Sequence, residues 1–355
     1  MVKTGASSYI KYGWETQFGV SPGDSALDKV FGLNARLTNW SLTHSPKDLP
    51  TLGQVEVKDY AYGQQAGSMG IDFVLSNPWI FKSVYGNPAK TGSTAPFTYK
   101  YGTALGTNSG NHAGAKSVQN LTVEVGFQGE TDSVVRRGLG CIVNSLNIST
   151  TIDGTVDCST DIGYGKEDAN SGAVYNATFD TTPPTEDVGF PYTFAHGEIR
   201  WAGEGGADTD ASGSVVAELQ DASISFAQNP ALLYTIGQHQ AVASFRRVFD
   251  VTGSFRASWK NDDKLNQLFD QVRKPLTKST ISTNAAKADI ILSFKNQAAT
   301  SSTMEVITMK LNGVRPDSHA VEGIVPVEPV FENIAWRTKN VEIICENSVN
   351  RSSPF

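Results

Sequence analysis

The sequence of 355 residues contains one pattern twice: an alternating strand, followed at a similar distance by a second strand that runs into a short helix. In the first copy the two segments begin at Leu37 and Gly70. In the second copy they begin at Leu219 and Gly253. Each copy is long enough to bury a core of its own. The pattern therefore predicts a mainly β protein with two tandem modules of β-sandwich or partial-barrel type, each with a short flanking α-helix.

Alternation of apolar and polar residues with a period of two predicts the strands of both copies. The apolar faces comprise Ile71, Phe73, Leu75, Leu121, Val123, Val125, Phe127, Ile142, Leu146 and Ile148, then Phe245, Phe249, Val251, Phe255, Trp259, Ile290, Leu292 and Phe294. The segments Met304–Leu311 and Val341–Cys345 complete the predicted strands. An Asp153–Gly154 pair predicts a tight hairpin turn between two of the strands.

The first helix has readable ends in the sequence. Asn77 suits the N-cap, Pro78 the first helical position and Gly86 the residue just past the end. The second helix is predicted from about Asp262, with apolar residues at helical spacing, and it ends before Pro275.

Turn-rich and polar stretches suggest how the chain is divided. The division has an N-terminal arm at 1–30, a first module at 31–166, a linker or insertion at 167–213 and a second module at 214–355. Residues 45–68 are also polar and turn-rich, yet they connect two clear strands. A long loop in that position is usually functional or covered by a neighbour.

Charge and cysteine content exclude several classes of protein. The net charge is −7 and the pI about 5.3, whereas proteins that grip nucleic acid through its phosphates need clustered Lys and Arg. Cys141, Cys158 and Cys345 give neither a disulfide framework nor a zinc motif, and we interpret them as buried free thiols. No apolar run approaches the length of a membrane span, and the N-terminus lacks a signal-peptide core, which predicts synthesis in a cytoplasm and no membrane partner.

Motifs for catalysis and cofactors are weak. The triplet Gly23-Asp24-Ser25 resembles the nucleophile block of GDSL-type esterases, but the residues before it are polar, and Asp317 and His319 are two positions apart instead of three. The acidic run from Asp208 to Gly213 resembles the opening of a calcium loop without its final acidic ligand. We therefore predict no catalytic residue, no cofactor and no metal site.

Several phrases of the sequence point to one family. They are Tyr9 to Gly19 followed by Val30 to Gly32, the strand–helix block Ser68 to Gly86, and the closing segments Glu322 to Ile334 and Val341 to Asn347. Together they resemble the tail tube proteins of long-tailed, non-contractile phages and related archaeal viruses. The resemblance runs over most of the chain and contains no catalytic signature.

The resemblance implies a protein that assembles with itself. Subunits of the family join their sheets edge to edge into rings around a DNA-sized channel, and the rings stack. The repeat favours a ring of three copies with pseudo-sixfold symmetry, and a single large domain would favour six. The loop at 45–68 takes the position that contacts the adjacent ring. The candidate inter-ring residues are Ser45, Lys47, Asp48, Leu52, Lys58, Tyr60 and Tyr62.

Further partners and the location also follow from the resemblance. They are the tail terminator, tail tip and tape measure proteins, with DNA passing through the lumen without specific binding, in a virion tail made in the host cytoplasm. Two alternatives stay open at this point. One is another virion or injection-device part, such as a decoration protein or an inner-tube subunit, and the other is a carbohydrate-binding β-sandwich.

Overall fold

The structure is a computed structural model. It describes residues 8–50, 57–61, 63–102, 119–128, 133–152, 154–168, 179–182, 190–202, 214–215, 219–258, 288–296, 305–322, 330–338 and 340–347. Within these ranges the protein is mainly β.

The described elements follow one another along the chain, and the helix α1 is Phe81–Tyr85. The strands of the first part are β1 Ser8–Trp14, β2 Leu33–His44, β3 Lys47–Pro50, β4 Val57–Ala61, β5 Gln65–Val74, β6 Ala89–Thr91, β7 Phe97–Tyr101, β8 Leu121–Gln128, β9 Ser133–Thr151, β10 Val156–Tyr164 and β11 Lys166–Glu167. The later strands are β12 Tyr192–Ala202, β13 Ser214–Val215, β14 Leu219–Ala227, β15 Ala231–Leu233, β16 Ala243–Phe245, β17 Asp250–Ser258, β18 Ala288–Asn296, β19 Val306–Val321, β20 Phe331–Thr338 and β21 Asn340–Asn347.

Eight strands form one continuous antiparallel sheet, called here the long sheet. Its order is β2–β5–β10–β9–β14–β17–β20–β19. The first four strands come from the first half of the chain and the last four from the second half. The two halves are thus hydrogen-bonded to each other between β9 and β14, where Ile148 lies opposite Ile224.

A second layer covers one face of the long sheet. It comprises β1–β8–β9–β11 from the first half, and β6–β7–β21–β19–β18–β12–β13, which mixes the halves. The strands β9 and β19 belong to both layers, because each pairs along its first part in one layer and along its second part in the other. One hydrophobic core lies between the layers and includes Trp79, Trp336 and Tyr12, each at most 1% exposed.

The pairing order of the first half recurs in the second, with two irregularities at matching places. Both β9 and β19 skip two residues opposite the neighbouring strand, and the second skipped residue is Gly140 or Gly313, each with positive φ. Farther along, β9 bulges at Asn144 and β19 at Asp317. The separation is 173 positions for both pairs. These irregularities serve as landmarks for aligning the two halves. Across the paired strands they make Ser254 the counterpart of Gly70, so the sequence alignment of Gly70 with Gly253 is one residue out of register.

The predicted strand faces and the first helix agree with the structure. Ile71, Phe73 and Leu75 are at most 3% exposed. Asn77 accepts a hydrogen bond from the Trp79 N–H (3.2 Å), and the chain leaves α1 at Gly86 with φ 81°. The helix is shorter than predicted because residues 78–80 form a turn, and it is buried on every side. The second predicted helix, from about Asp262 to Pro275, lies outside the described residues.

Two segments predicted to lie outside the modules contain strands of the second layer. In the expected arm, β1 pairs with β8, and Tyr12 packs against Phe31 with ring centroids 4.6 Å apart. In the expected linker, β12 pairs with β18, and the Tyr192 N–H donates to the Leu75 carbonyl (3.0 Å). Tertiary packing makes strands here in spite of a weak local signal. The module boundaries themselves stay a prediction.

Two further segments differ from the sequence interpretation. The region 45–68, expected as a loop, holds the β3–β4 hairpin and the start of β5. Phe245, expected on a buried strand face, lies in the separate β15–β16 hairpin and is 42% exposed. Trp259, predicted on the same face, lies outside the described residues.

Candidate assembly surface

The face of the long sheet that points away from the core is polar. It carries short hydroxyl and amide side chains that bond to one another across neighbouring strands. The Ser41 and Ser68 hydroxyls are 2.8 Å apart, and the Ser223 and Ser254 hydroxyls are 2.7 Å apart. The alternation of polar and apolar residues in the second part of β9 predicts this face. The polar residues Ser145, Asn147 and Ser149 lie between buried positions and point away from the core.

Most of the arginines on this face are paired with carboxylates of the same face. Its carboxylates are Asp72, Asp157, Asp161, Asp221, Asp250, Asp317 and Glu322, and its guanidinium groups are Arg36, Arg256, Arg315 and Arg337. Three arginines form ion pairs with carboxylates of the same face, Arg36–Asp72 (3.2 Å), Arg256–Glu322 (2.7 Å) and Arg337–Asp317 (2.7 Å). Lysine is absent from the described residues of this face. The face is therefore hydrophilic and acidic overall.

The long sheet has an open edge at each end. Among the described residues, β2 pairs in the sheet with β5 alone, and residues 315–321 of β19 pair with β20 alone. Each edge presents backbone N–H and C=O groups that can pair with another chain. Val321, near the end of β19, is 42% exposed. Such edges either need protection or serve for assembly.

The middle of the long sheet shows how such edges join in this protein. Seven residue pairs, from Asp221 opposite Thr151 to Ala227 opposite Ser145, connect β14 to β9 in antiparallel fashion. The Ser225 hydroxyl adds a hydrogen bond of 2.6 Å to the Asn147 side chain. By the repeat, β14 is the counterpart of β2, and the second part of β9 is the counterpart of the second part of β19. The two open edges are thus complementary to each other.

Comparison with known proteins identifies the family to which the chain belongs. The family described as "Phage tail tube protein" matches residues 5–337 of the chain. The chain belongs to the phage tail tube family. No curated protein matches it.

Membership of the tail tube family gives the protein a structural role: it self-assembles into the tube of a phage tail and is a component of the virion tail. Within the described residues, the tail tube protein has no helix long and apolar enough to span a bilayer.

The residues predicted to contact the adjacent ring fall on or near the β3–β4 hairpin. Ser45 is exposed, and its N–H donates to the Gln64 carbonyl (3.2 Å). Lys47 and Asp48 lie in β3, opposite Ala61 and Tyr60 of β4, which also contains Lys58. Leu52 and Tyr62 lie outside the described residues. The structure thus brings several of these residues together in one hairpin, and their role between rings stays a prediction.

The esterase-like residues have other partners in the structure. Asp24 begins a short 3₁₀ helix, Asp24–Ala26, and accepts a hydrogen bond from Arg137 (2.8 Å). Ser25 is exposed. Asp317 pairs with Arg337, and the His319 imidazole faces the Glu332 carboxylate (3.3 Å). The calcium-like run from Asp208 to Gly213 lies outside the described residues, and no metal-binding group of His, Cys, Asp or Glu occurs in the described part.

A buried charge network fixes β1 to its sheet, and no sequence pattern indicated it. Glu124 is 1% exposed and accepts hydrogen bonds from the Tyr9 hydroxyl (2.8 Å) and from Arg137. The Lys11 ammonium lies 3.3 Å from Glu124 and 2.8 Å from Asp180. Its hydrogen bond holds the pKa of Asp180 below the ordinary value. Because a buried charge needs a partner, the network ties the predicted linker to β1.

A second buried carboxylate holds the kink of β9. The Glu15 side chain accepts hydrogen bonds from the N–H groups of Gly140 (2.7 Å) and Gly19 (2.8 Å) and from the Thr122 hydroxyl (2.8 Å). Burial raises the pKa of Glu15 to about 6, and the three donors oppose that rise. The point where β9 passes between layers is therefore fixed by a titratable group.

Proposed function

We propose that this tail tube protein forms a ring of three copies in which the long sheets join edge to edge around the channel. The proposal depends on the junction of β14 with β9 within the chain. Their counterparts in the repeat, β2 and the second part of β19, are open at the two ends of the sheet. Each copy already holds two repeating units, so three copies supply six units. Joining β19 of one copy to β2 of the next closes the ring with one type of contact.

The polar face of the long sheet then lines the channel. Three of its four arginines are held by carboxylates, and most of its other polar groups are short hydroxyls, amides and acids. DNA passing along such a wall meets no cluster of free cations, which non-specific binding requires. We place the protein in the tail of a long-tailed, non-contractile virus, made in the host cytoplasm, with the tail terminator, tail tip and tape measure proteins as further partners and with no enzymatic activity.

The repeat also supplies the register of the contact between copies. Within the chain, Ser225 of β14 lies opposite Asn147 of β9. The landmarks in β9 and β19 make Ala320 the counterpart of Asn147, and the pairing of β2 with β5 makes Ser41 the counterpart of Ser225. We therefore expect Ser41 of one copy to lie opposite Ala320 of the next.

A cross-linking experiment tests both the contact and the number of copies. The variant Ser41→Cys/Ala320→Cys is assembled and then oxidised or treated with a short bifunctional thiol reagent. The native thiols are at most 3% exposed and do not compete. Electrophoresis should show a ladder of cross-linked species that ends at three copies. The control Ser41→Cys/Thr252→Cys places the second thiol on β17, away from the edge, and should stay monomeric on the gel.

Three outcomes contradict parts of the proposal. A ladder that ends at six copies replaces the trimer with a hexamer. Assembled tubes without cross-links reject the β2–β19 register. Unassembled wild-type protein at high concentration, seen by electron microscopy in several salts, counts against self-assembly into a ring.

A further inference from the structure

The β15–β16 hairpin belongs to the second half of the chain but lies on the first half. The Gln65 N–H donates to the His239 carbonyl (2.8 Å), and the Tyr234 hydroxyl donates to the Gln65 carbonyl (2.8 Å). The Ala241 N–H donates to the Gly165 carbonyl (3.4 Å), and Ala241 is fully buried. The Ser244 hydroxyl reaches the Asn120 side chain (2.7 Å). The hairpin thus covers the end of the neighbouring half.

This hairpin and the β3–β4 hairpin occupy the same place in the repeat. Residues 228–249 connect β14 to β17, and residues 45–64 connect β2 to β5. The β15–β16 hairpin covers the half to which its own preceding strand, β14, is paired. If β2 pairs with β19 of the next copy, the β3–β4 hairpin should likewise cover the half to which its preceding strand is paired. That half is the second half of the next copy.

The second half has an exposed surface at the position where the β3–β4 hairpin would bind. In the first half, residues 63–65 lie beneath the β15–β16 hairpin, and the landmarks make residues 247–249 their counterpart. Arg247 is exposed there, and Val248 is 62% exposed. An apolar side chain so open, at a position that is covered in the other half, fits a surface that assembly buries.

We propose that the β3–β4 hairpin of one copy lies on the second half of the neighbouring copy in the same ring, across Arg247 and Val248. The inference rests on the proposed ring. The β3–β4 hairpin, predicted to contact the adjacent ring, would thus also contact a neighbour in its own ring. Each contact between copies would then have two parts, the β2–β19 strand pair and the hairpin that crosses it.

Photo-cross-linking locates the partner directly. A Val248→Cys variant is labelled with a thiol-reactive benzophenone, which the buried native thiols do not take up. Labelled protein is mixed with unlabelled protein carrying ¹⁵N, assembled, separated into single rings and stacked tubes, and irradiated. We expect cross-links from residue 248 to the ¹⁵N peptide that contains residues 47–61, already in single rings.

The outcomes separate this inference from the proposed function. A cross-link to 47–61 that occurs in stacked tubes but not in single rings assigns the hairpin to the adjacent ring and overturns the lateral contact. Cross-links confined to one chain, or to other segments of the partner, also overturn it. If wild-type protein forms no ring at all, the proposed function fails first, and the Ser41/Ala320 cross-link is absent too.

A charge variant gives a second test. Val248→Asp leaves the folded subunit unchanged because the side chain is exposed, but assembly would bury an unpaired carboxylate. The protein concentration needed for ring formation should rise about tenfold or more, with the midpoint of urea unfolding of the unassembled subunit unchanged. Phe190→Asp is the control, since Phe190 is 59% exposed and precedes β12, outside the connection at residues 228–249. Equal assembly of wild type and Val248→Asp would contradict the proposal.

Discussion

Gly140 and Gly313 occupy equivalent positions in β9 and β19, 173 residues apart, and both have a left-handed backbone with φ of 62° and 65°. Each glycine is the second of two residues that its strand skips against its neighbour. Beyond that point each strand leaves the second layer and enters the long sheet. The two kinks let one strand in each half join the layers, so they hold the sandwich together.

Replacing the first kink glycine should destabilise the subunit. In Gly140→Ala the residue would keep a positive φ, and its Cβ would lie 2.6 Å from the Phe18 ring. We expect a loss of about 2 kcal/mol or more in the free energy of unfolding, from backbone strain and overpacking. Urea unfolding of the unassembled subunit measures it. Gly23→Ala is the control, because Gly23 has φ −55° and open space around its Cβ position. Equal stability of the two variants would contradict the requirement for a glycine at the β9 kink.

Titration of Glu15 should make the subunit less stable as pH rises. The folded pKa of about 6 exceeds the ordinary 4.5, so the folded state binds more protons between these values. Stability from this group is complete below pH 4.5 and lost as pH passes 6, by about 2 kcal/mol. Unfolding curves of wild type and Glu15→Gln at pH 4.5 and 7 give the difference, and the variant should lack this part of the decrease. Parallel behaviour of the two proteins would show that Glu15 does not titrate in this range.

A buried lysine offers a stabilising substitution. Lys82 in α1 is 5% exposed and lies over the Trp14 ring at 4.9 Å. Burial, together with the charge of Lys29, lowers the pKa of Lys82 from 10.5 to about 8. The unfolded state therefore binds more protons between pH 8 and 10.5, and stability rises with pH across that window.

Lys82→Met should raise the free energy of unfolding at pH 7 by about 1–3 kcal/mol, because the buried ammonium is removed and the apolar volume is kept. It should also flatten the rise in stability between pH 8 and 10.5, measured by urea unfolding. Lys90→Met changes an exposed lysine and serves as the control. A variant less stable than wild type would mean that contact with Trp14 outweighs the cost of burial.

Releasing an arginine on the polar face should make it bind DNA. Asp317→Asn removes the partner of Arg337, which lies directly opposite Arg315. We expect affinity for a short labelled duplex to rise about tenfold at low salt and to fall as salt increases. Fluorescence anisotropy with the unassembled subunit measures it. Asp28→Asn, whose carboxylate pairs with Lys29 elsewhere, is the control. Unchanged binding by Asp317→Asn would show that the ion pairs do not govern affinity for DNA.

The sequence by itself determined the local features. Alternation identified most of the strand faces, the Asn77 cap and Gly86 fixed the region of α1, and the repeat of strand and helix indicated the duplication. These features depend on residues that are close together in the sequence, so the sequence pattern alone predicts them. The polar face could also be predicted in part, since Asn147 and its neighbours alternate with buried positions along β9.

Only the tertiary structure decided how these parts combine. That β14 pairs with β9, that β1 and β12 complete their sheets, and that Glu124 and Glu15 find their donors depends on contacts between residues far apart in the chain. A strand of weak local signal forms when a distant strand offers an edge. The complementary edges, on which the proposed ring depends, are therefore properties of the folded sheet and not of any single segment.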